Sequence, residues 1–174
     1  MINVLIYDDN QKDIEHLSKC LYKFFEKKEL QYQINICEGR EDLLQKIKQS
    51  DLLFLDMEIN GESGIDLGLE LQNMNHDCRI IITTNYSKYA IDGYKIHADR
   101  YFIKPINQAE FDLEMDAVIK RFIKHTIGFY DKNISDHKIY IKDILYIEFT
   151  NRKSIIHKLD GKNVVTTCTL KYWY

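Results

Sequence analysis

The stretch LLFLDME, residues 52–58, decides the fold of this 174-residue chain. Four apolar residues run directly into the carboxylate of Asp56. An unbroken apolar run of this length predicts a strand buried on both faces of a parallel sheet. Asp56 then lies at the carboxyl end of the strand, the edge where open α/β sheets collect ligands. An aspartate in this place is more often a turn former or a helix cap, so its neighbours in the fold must decide its role.

A pattern of strand followed by helix repeats five times around this stretch, over residues 1–125. The predicted strands are residues 3–7, 32–37, 51–56, 79–84 and 101–103. The predicted helices are residues 11–28, a short helix around 43–47, then 64–74, 87–96 and 107–125. This alternation predicts an α/β fold, a five-stranded parallel doubly wound sheet with helices on both faces. The length suits one domain, residues 1–125.

Two helices and one loop carry more detailed expectations. Helix 64–74 is expected to place Ile65, Leu69 and Gln72 on one side. The last helix carries an apolar stripe that is expected to face the core; its members are Phe111, Met115, Val118, Phe122 and Ile123. Asn60-Gly61, together with Gly64, predicts a flexible loop after the central strand.

Polar side chains stand at four of the five predicted strand ends. They are Asp8 and Asp9, Asp56, Thr84 and Lys104. Each has an ordinary interpretation alone, but parallel strands bring all five to one edge of the sheet. Three crowded carboxylates repel unless a cation joins them, and hard oxygen ligands suit Mg²⁺. An ammonium and a hydroxyl beside them can neutralise and bind a phosphoryl group on Asp56.

Several classes of protein are excluded by what the chain lacks. It contains no apolar run of 18 residues, so no transmembrane helix and no membrane partner are expected. The first residues lack the basic region of a signal peptide, and the four separated cysteines (Cys20, Cys37, Cys78 and Cys168) predict reduced thiols in a cytoplasmic protein. No Gly-x-Gly-x-x-Gly follows the first strand, which disfavours a dinucleotide-binding fold.

The last 49 residues, 126–174, differ from the rest because they are net basic and predict no long helix. Short strands are predicted at residues 127–130, 138–149, 154–159 and 163–167. Asp160-Gly161 between two of these runs predicts a hairpin. This pattern indicates a second, all-β module. Its positive charge suits a polyanionic partner, although an ordinary solvated surface explains it equally well.

The first 125 residues resemble the receiver domain of bacterial two-component response regulators, a flavodoxin-like or CheY-like fold. The motifs that carry the resemblance are Asp8-Asp9, the strand 52–56, Gly64, Thr84, Tyr101 and Lys104-Pro105. The resemblance implies that Asp56 accepts a phosphoryl group from a sensor histidine kinase. It further implies a homodimer formed through the face of residues 87–125 and a cis peptide bond between Lys104 and Pro105.

The same resemblance assigns roles to the remaining site residues. Asp9 would bind Mg²⁺ directly, Asp8 would bind it through water, and the backbone carbonyl of Glu58 would complete the protein ligands around Asp56. Thr84 and Lys104 would hold the phosphoryl oxygens. Tyr101 stands at the aromatic switch position, where it would turn inward when Thr84 moves. Asn85 departs from the family pattern, in which a small residue follows the threonine.

Residues 126–174 resemble the start of a LytTR DNA-binding domain. The matching residues are 144–148, 155–157, 160–161 and 169–171. The resemblance implies that the turn containing Asn151, Arg152 and Lys153 reaches promoter DNA, where polar groups contact phosphates and base edges. A LytTR domain is about twice as long as this segment, so the module is expected to be an incomplete, N-terminal part of one.

These features leave three functional hypotheses. The first is a two-component response regulator that is phosphorylated on Asp56 with Mg²⁺ and controls transcription through a LytTR output. The alternative is a truncated or lone receiver that acts as a phosphorylation-dependent protein-interaction switch without DNA binding. The third is a phosphatase with Asp56 as nucleophile and Glu58 nearby. It is disfavoured because Asp-x-Glu matches the usual Asp-x-Asp poorly, and no turnover enzyme is expected.

Overall fold

The structure is a computed structural model that describes residues 1–74, 76–86, 94–126, 128–129, 134–135 and 139–167. The chain divides into two compact units, Met1–Asp116 and Ala117–Tyr174. The last helix of the first region crosses this division, so the domain boundary expected between residues 125 and 126 stays a prediction. No helix among the described residues is long and apolar enough to cross a membrane.

The first unit is built on a five-stranded parallel sheet. Its strands and one small hairpin are β1 (Ile2–Tyr7), β2 (Tyr32–Ile36), β3 (Leu52–Asp56), β4 (Glu58–Ile59), β5 (Glu62–Ser63), β6 (Arg79–Thr84) and β7 (Arg100–Ile103). Its helices are α1 (Gln11–Lys27), α2 (Arg40–Lys46), α3 (Gly64–Gln72) and the first part of α4 (Gln108–Thr126), which extends past Asp116. The strand order is β2-β1-β3-β6-β7. This is the doubly wound order with its switch point between β1 and β3, which confirms the predicted fold class.

The central strand β3 separates two apolar layers. All five of its residues are buried. Leu53 and Leu55 face the layer that includes Leu67 and Leu71 of α3. Phe54 points to the opposite face, where its ring stacks on Phe111 of α4 at 6.1 Å between centroids. The alternation of side chains along a strand therefore gives β3 two buried faces, as its unbroken apolar run predicts.

Four of the five residues of the predicted apolar stripe of α4 are buried, and Ile123 is partly buried. Phe111, Met115 and Val118 are fully buried, and Phe122 is nearly so. The Phe111 ring also contacts the rings of Phe24 and Phe102. These buried side chains are not available to a partner protein, so an interface on α4 would have to use other side chains.

The buried face of α3 is formed by two leucines and two glycines. Leu69 is 38% exposed, whereas Gly64, Leu67, Gly68 and Leu71 are buried. Two glycines occupy this buried face because the backbone packs closely there: a Cβ on Gly68 would lie 2.8 Å from Ile96. A pattern read from large apolar side chains does not identify glycines as packing positions.

The loop predicted after β3 forms a hairpin, β4–β5. Glu58 pairs with Ser63, and Ile59 pairs with Glu62. Asn60 (φ 51°) and Gly61 (φ 81°) both adopt left-handed backbone conformations at its tip. Asn-Gly is the sequence that two-residue hairpin turns of this type favour. The predicted helix 87–96 lies outside the described residues over 87–93.

The second unit contains short antiparallel strands. They are β8 (Gly128–Phe129), β9 (Ile139–Tyr140), β10 (Ile144–Thr150), β11 (Lys153–Lys158) and β12 (Val164–Thr166). β8 pairs with β9, and β10-β11-β12 form one sheet. The hairpin predicted at Asp160-Gly161 is confirmed, since β11 and β12 pair antiparallel around it. Ile134, Ile139 and Ile156 form a small buried cluster. The matching residues 169–171 lie outside the described residues.

Candidate functional site

Three carboxylates meet where β1 and β3 end. Each of Asp8, Asp9 and Asp56 contributes a carboxylate oxygen to a group whose members all lie within 4.8 Å of one another. Asp8 and Asp56 are buried, and Asp9 is exposed. The sheet topology explains the meeting, because β1 and β3 are neighbouring parallel strands whose carboxyl ends share one edge.

The ammonium of Lys104 enters this acidic group. Nζ of Lys104 lies 2.7 Å from Oδ2 of Asp8, 2.7 Å from Oδ2 of Asp56 and 3.1 Å from Oδ2 of Asp13. The Lys104 side chain is 5% exposed. A buried ammonium is costly unless it is paired, and here three carboxylates pair with it.

Burial and charge act against each other at this site. Burial raises the pKa of Asp56, and the neighbouring Asp8 adds to this effect, while the hydrogen bond from Lys104 offsets part of it. Burial lowers the pKa of Lys104, but its hydrogen bonds to Asp56 and Asp8 outweigh burial and raise that pKa above its ordinary value. Lys104 is therefore a permanent cation, and ionised Asp56 is an anion that the fold holds at a cost.

Backbone N–H groups orient the carboxylates. Met57 donates to Oδ1 of Asp56 at 2.6 Å, and Glu58 donates to the same oxygen at 3.4 Å. Asn60, at the tip of the β4–β5 hairpin, donates to Oδ2 of Asp9 at 2.7 Å. The hairpin thus helps to hold Asp9.

Gly64 allows the chain to pass directly beside Asp56. A Cβ at this position would lie 2.3 Å from the backbone oxygen of Asp56 and 2.7 Å from Cα of Met57. Both contacts are with backbone atoms, which cannot turn aside as a side chain can. The close approach of α3 to the end of β3 therefore requires glycine.

Lys104 is positioned by the two strands at the edge of the sheet. The peptide bond between Lys104 and Pro105 is cis, as the family resemblance implies. The backbone N–H of Lys104 donates to the carbonyl of Thr84 at 2.8 Å. Thr84 is fully buried at the end of β6. The strand ends therefore bring all five predicted residues to one edge.

Tyr86 connects Thr84 with Tyr101. The Tyr86 N–H lies 3.4 Å from the hydroxyl oxygen of Thr84, to which it donates. The Tyr101 hydroxyl donates to the backbone carbonyl of Tyr86. One peptide segment thus contacts both residues of the predicted switch.

Comparison with known proteins identifies this arrangement. Residues 4–116 match the family described as response regulator receiver domain. The chain belongs to this family. The match covers the receiver unit Met1–Asp116 almost completely and contains every residue of the acidic group and its lysine.

The receiver domain and the residues after it are also similar to longer regulators. The chain is 31% identical over 159 residues to the sensory transduction protein LytT of Bacillus subtilis (strain 168), covering 90% of this chain. It is 31% identical over 168 residues to the transcriptional regulatory protein LytR of Staphylococcus aureus (strain N315), covering 94% of this chain. The chain spans 64% of the length of each of these relatives.

Solved structures support the receiver fold. A CheY-like receiver domain protein from Methanospirillum hungatei JF-1 superposes with a TM-score of 0.59 at 20% identity, covering 71% of this chain and 98% of that one. The response regulatory domain of mrkE from Klebsiella pneumoniae superposes with a TM-score of 0.60 at 19% identity, covering 70% and 98%. At these identities the likeness concerns the fold.

Sequence reasoning missed one residue of the receiver site, Asp13. It lies in the first turn of α1, four residues after Asp9, and reaches Lys104 from the helix. The signal that could have found it is the helical start at Asn10, whose side chain accepts a hydrogen bond from the Lys12 N–H. A helix beginning there turns its first-turn acid back toward the strand end.

The residues predicted to contact DNA lie in the second unit. Asn151 (φ 49°) and Arg152 (φ 64°) form a two-residue turn between β10 and β11, where Thr150 pairs with Lys153. Asn151, Arg152 and Lys153 are all exposed. Arg152 of the turn and Lys153 at the start of β11 therefore present two cationic side chains to solvent, and a role in DNA binding stays a prediction.

Proposed function

We propose that the receiver domain is a phosphorylation-controlled switch in which Asp56 accepts a phosphoryl group from the phosphohistidine of a sensor histidine kinase. The observation that carries this proposal is the 2.7 Å contact between Asp56 and the buried Lys104 inside a cluster of acids. A carboxylate oxygen of Asp56 attacks phosphorus, and the phosphorus–nitrogen bond of the phosphohistidine breaks. Lys104 stabilises the negative charge on the transferring group.

The donor set of the acidic group fits Mg²⁺. Carboxylate oxygens from Asp8, Asp9 and Asp56 lie within reach of one ion, and Mg²⁺ favours one or two carboxylates together with waters. We assign Asp9 as a direct ligand, Asp8 as a ligand through water, and the backbone carbonyl of Glu58 as the last protein ligand. When bound, the ion supplies charge neutralisation for the transferring phosphoryl group.

Phosphorylation changes the charge at one buried point, and the neighbouring residues respond. The phosphoryl group carries close to two negative charges in place of one. Lys104 and the Thr84 hydroxyl are the donors that would bind its oxygens. Movement of Thr84 would alter its hydrogen bond with the Tyr86 N–H. A shift of Tyr86 would in turn alter the hydrogen bond between its carbonyl and the Tyr101 hydroxyl. The two states differ in these contacts, which is what a population shift requires.

The proposed readout is a homodimer through the face of residues 87–125. Three exposed apolar side chains of the described residues support this choice: Tyr94 is 84%, Ile103 50% and Leu113 72% exposed. Exposed apolar residues are common, but three in the region expected to respond to phosphorylation favour it as an interface.

The proposed output is transcription regulation through promoter DNA and a LytTR-type domain that begins near residue 126. Its support is that similarity to LytT and LytR extends over 90% and 94% of this chain, well beyond the receiver domain. The alternative is a phosphorylation-dependent protein-interaction switch without DNA binding. It is less favoured because it leaves that extended similarity unexplained.

The receiver domain is not expected to turn over a substrate. Its chemistry would be limited to its own phosphorylation and dephosphorylation, because the product remains covalently attached to Asp56. A cytoplasmic location fits this proposal, and so do the free, buried thiols of Cys20, Cys37 and Cys78.

The test is phosphorylation of the full chain with acetyl phosphate and Mg²⁺, followed by mass spectrometry of the peptide that contains residue 56. We expect the mass of one phosphoryl group on Asp56, and no labelling when Mg²⁺ is chelated. Asp56→Asn should abolish the signal. Asp66→Asn is the matched control, because Asp66 is an exposed aspartate nearby in α3. Persistent labelling of the Asp56→Asn protein would remove Asp56 from the proposed role.

A further inference from the structure

Lys104 has one more acidic partner than the receiver chemistry requires. Besides Asp8 and Asp56, Oδ2 of Asp13 lies 3.1 Å from Nζ. The Asp13 side chain is 24% exposed, while that of Lys104 is 5% exposed. Asp13 is therefore the most exposed of the three acidic partners of Lys104.

The position of Asp13 is set by α1 rather than by a strand end. The helix begins at Gln11 after an Asn10 cap, and Asp13 is the acid of its first turn. Negative side chains are favoured in the first turn of a helix, where N–H groups point outward. The same helix is held by buried Ile14 and Leu17 on its inner side. A rigid element thus fixes Asp13 beside Lys104.

We infer that Asp13 is a positioning residue that competes with Asp56 and its phosphoryl group for the ammonium of Lys104, and that it thereby restrains phosphorylation. This inference rests on the proposed function of Asp56. Four carboxylates and one ammonium leave the site strongly negative. A phosphodonor dianion is repelled by each carboxylate, whereas Mg²⁺ is attracted by each.

The charge of Asp13 therefore repels the phosphodonor and attracts Mg²⁺. Neutralising it in Asp13→Asn reduces the repulsion of the phosphodonor and leaves Lys104 shared between two carboxylates instead of three. We expect labelling at saturating Mg²⁺ to become roughly threefold to tenfold faster, the size of a single charge interaction across several ångströms near a protein surface. The same change should weaken Mg²⁺ binding by roughly twofold to fivefold.

The experiment measures both quantities on the full chain. Initial rates of labelling by acetyl phosphate are taken at saturating Mg²⁺, and the Mg²⁺ dissociation constant is measured by calorimetry without a phosphodonor. The variants are Asp13→Asn, Asp13→Glu, which keeps the charge, and Glu15→Gln. Glu15 is the matched control, since it is an exposed acid on the same helix that bonds to Gln11.

The inference is established if Asp13→Asn is labelled faster and binds Mg²⁺ more weakly than the wild type. Asp13→Glu and Glu15→Gln should both match the wild type in labelling rate and in Mg²⁺ affinity. Equal values for Asp13→Asn and Glu15→Gln overturn it, because the effect would then be one of overall charge. A parallel loss of both rate and Mg²⁺ affinity also overturns it, since that result marks Asp13 as part of the framework of the site. The proposed function depends only on labelling of the wild-type protein at Asp56, so it stands whichever result Asp13→Asn gives.

Discussion

Nζ of Lys104 lies 2.7 Å from Oδ2 of Asp56, and both side chains are buried at the carboxyl edge of the sheet. The pair is unsymmetrical. Lys104 has the carboxylates of Asp8 and Asp13 as further partners, whereas Asp56 lies beside other carboxylates that repel its charge. Removing the cation and removing the anion should therefore affect the fold in opposite directions.

Replacing Lys104 by methionine should destabilise the receiver domain. The change leaves the buried carboxylates of Asp8 and Asp56 without their cation, a loss of about 3 kcal/mol in unfolding free energy for a broken buried pair. Urea unfolding at pH 7 with a chelator measures it. Mg²⁺ should restore more stability to Lys104→Met than to the wild type, because the ion replaces the missing positive charge. A stability that does not respond to Mg²⁺ would contradict the electrostatic origin of the loss.

Replacing Asp56 by asparagine should stabilise the fold in a pH-dependent way. Because burial raises the pKa of Asp56 in the folded state, the folded protein binds the proton more tightly than the unfolded chain does. Stability is therefore lost as pH rises from the ordinary aspartate pKa through the raised one. The unfolding free energy of Asp56→Asn minus that of the wild type should grow over this interval and then level off.

The measurement is urea unfolding of both proteins with a chelator, from pH 3.5 upward, with Asp66→Asn as control. The same pH course in Asp66→Asn would assign the effect to overall charge rather than to the burial of Asp56. A difference for Asp56→Asn that shrinks with rising pH would mean that Lys104 holds the pKa of Asp56 below its ordinary value.

Replacing Gly64 by alanine should damage both the fold and the acceptor. The new Cβ would lie 2.3 Å from the backbone oxygen of Asp56, so the start of α3 or the end of β3 must move. We expect this movement to cost about 1–3 kcal/mol of unfolding free energy. Displacement of the Asp56 backbone should also slow labelling. Gly39→Ala is the matched control, because a Cβ there meets nothing within 4 Å and the backbone is extended. Similar effects of the two substitutions would show that the close approach beside Asp56 is unimportant.

Replacing Tyr101 by phenylalanine should separate phosphorylation from its readout. Only the hydroxyl that donates to the Tyr86 carbonyl is lost, which costs about 0.5–1.5 kcal/mol. We expect labelling of Asp56 at the wild-type rate, with a weaker phosphorylation-dependent shift in mass measured by light scattering. Tyr22→Phe, at an exposed tyrosine of α1, is the control. An undiminished dimer response in Tyr101→Phe would exclude the Tyr86–Tyr101 contact from the switch.

Substitutions in the turn between β10 and β11 test the DNA-binding output. If Arg152 and Lys153 contact phosphates, alanine at either position should weaken duplex binding and reduce the salt dependence of affinity by about one ion per lost contact. Fluorescence anisotropy of the full chain over a salt series measures this. Lys162→Ala is the control, because Lys162 is an exposed lysine in the turn before β12. No affinity for DNA in the wild type at any salt concentration would favour the protein-interaction switch.

Some features of this protein could be predicted from the order of its residues alone. The five parallel strands followed from apolar runs, since buried strands leave a local pattern. The placement of Asp8, Asp9, Asp56, Thr84 and Lys104 at one edge followed from topology, because parallel strands share their carboxyl ends. The hairpin at Asp160-Gly161 followed from a turn preference that needs two residues only.

Other features depend on contacts between parts of the chain that are distant in sequence, and only the tertiary structure decided them. The buried side of α3 is set by the approach of Gly64 to Asp56 and of Gly68 to Ile96, and glycines carry no apolar signal. The loop after Asp56 is a hairpin whose Asn60 N–H donates to Asp9. The third partner of Lys104, Asp13, depends on where α1 starts relative to the strand end. Local patterns determine which elements form, whereas the close packing of those elements determines which side chains meet.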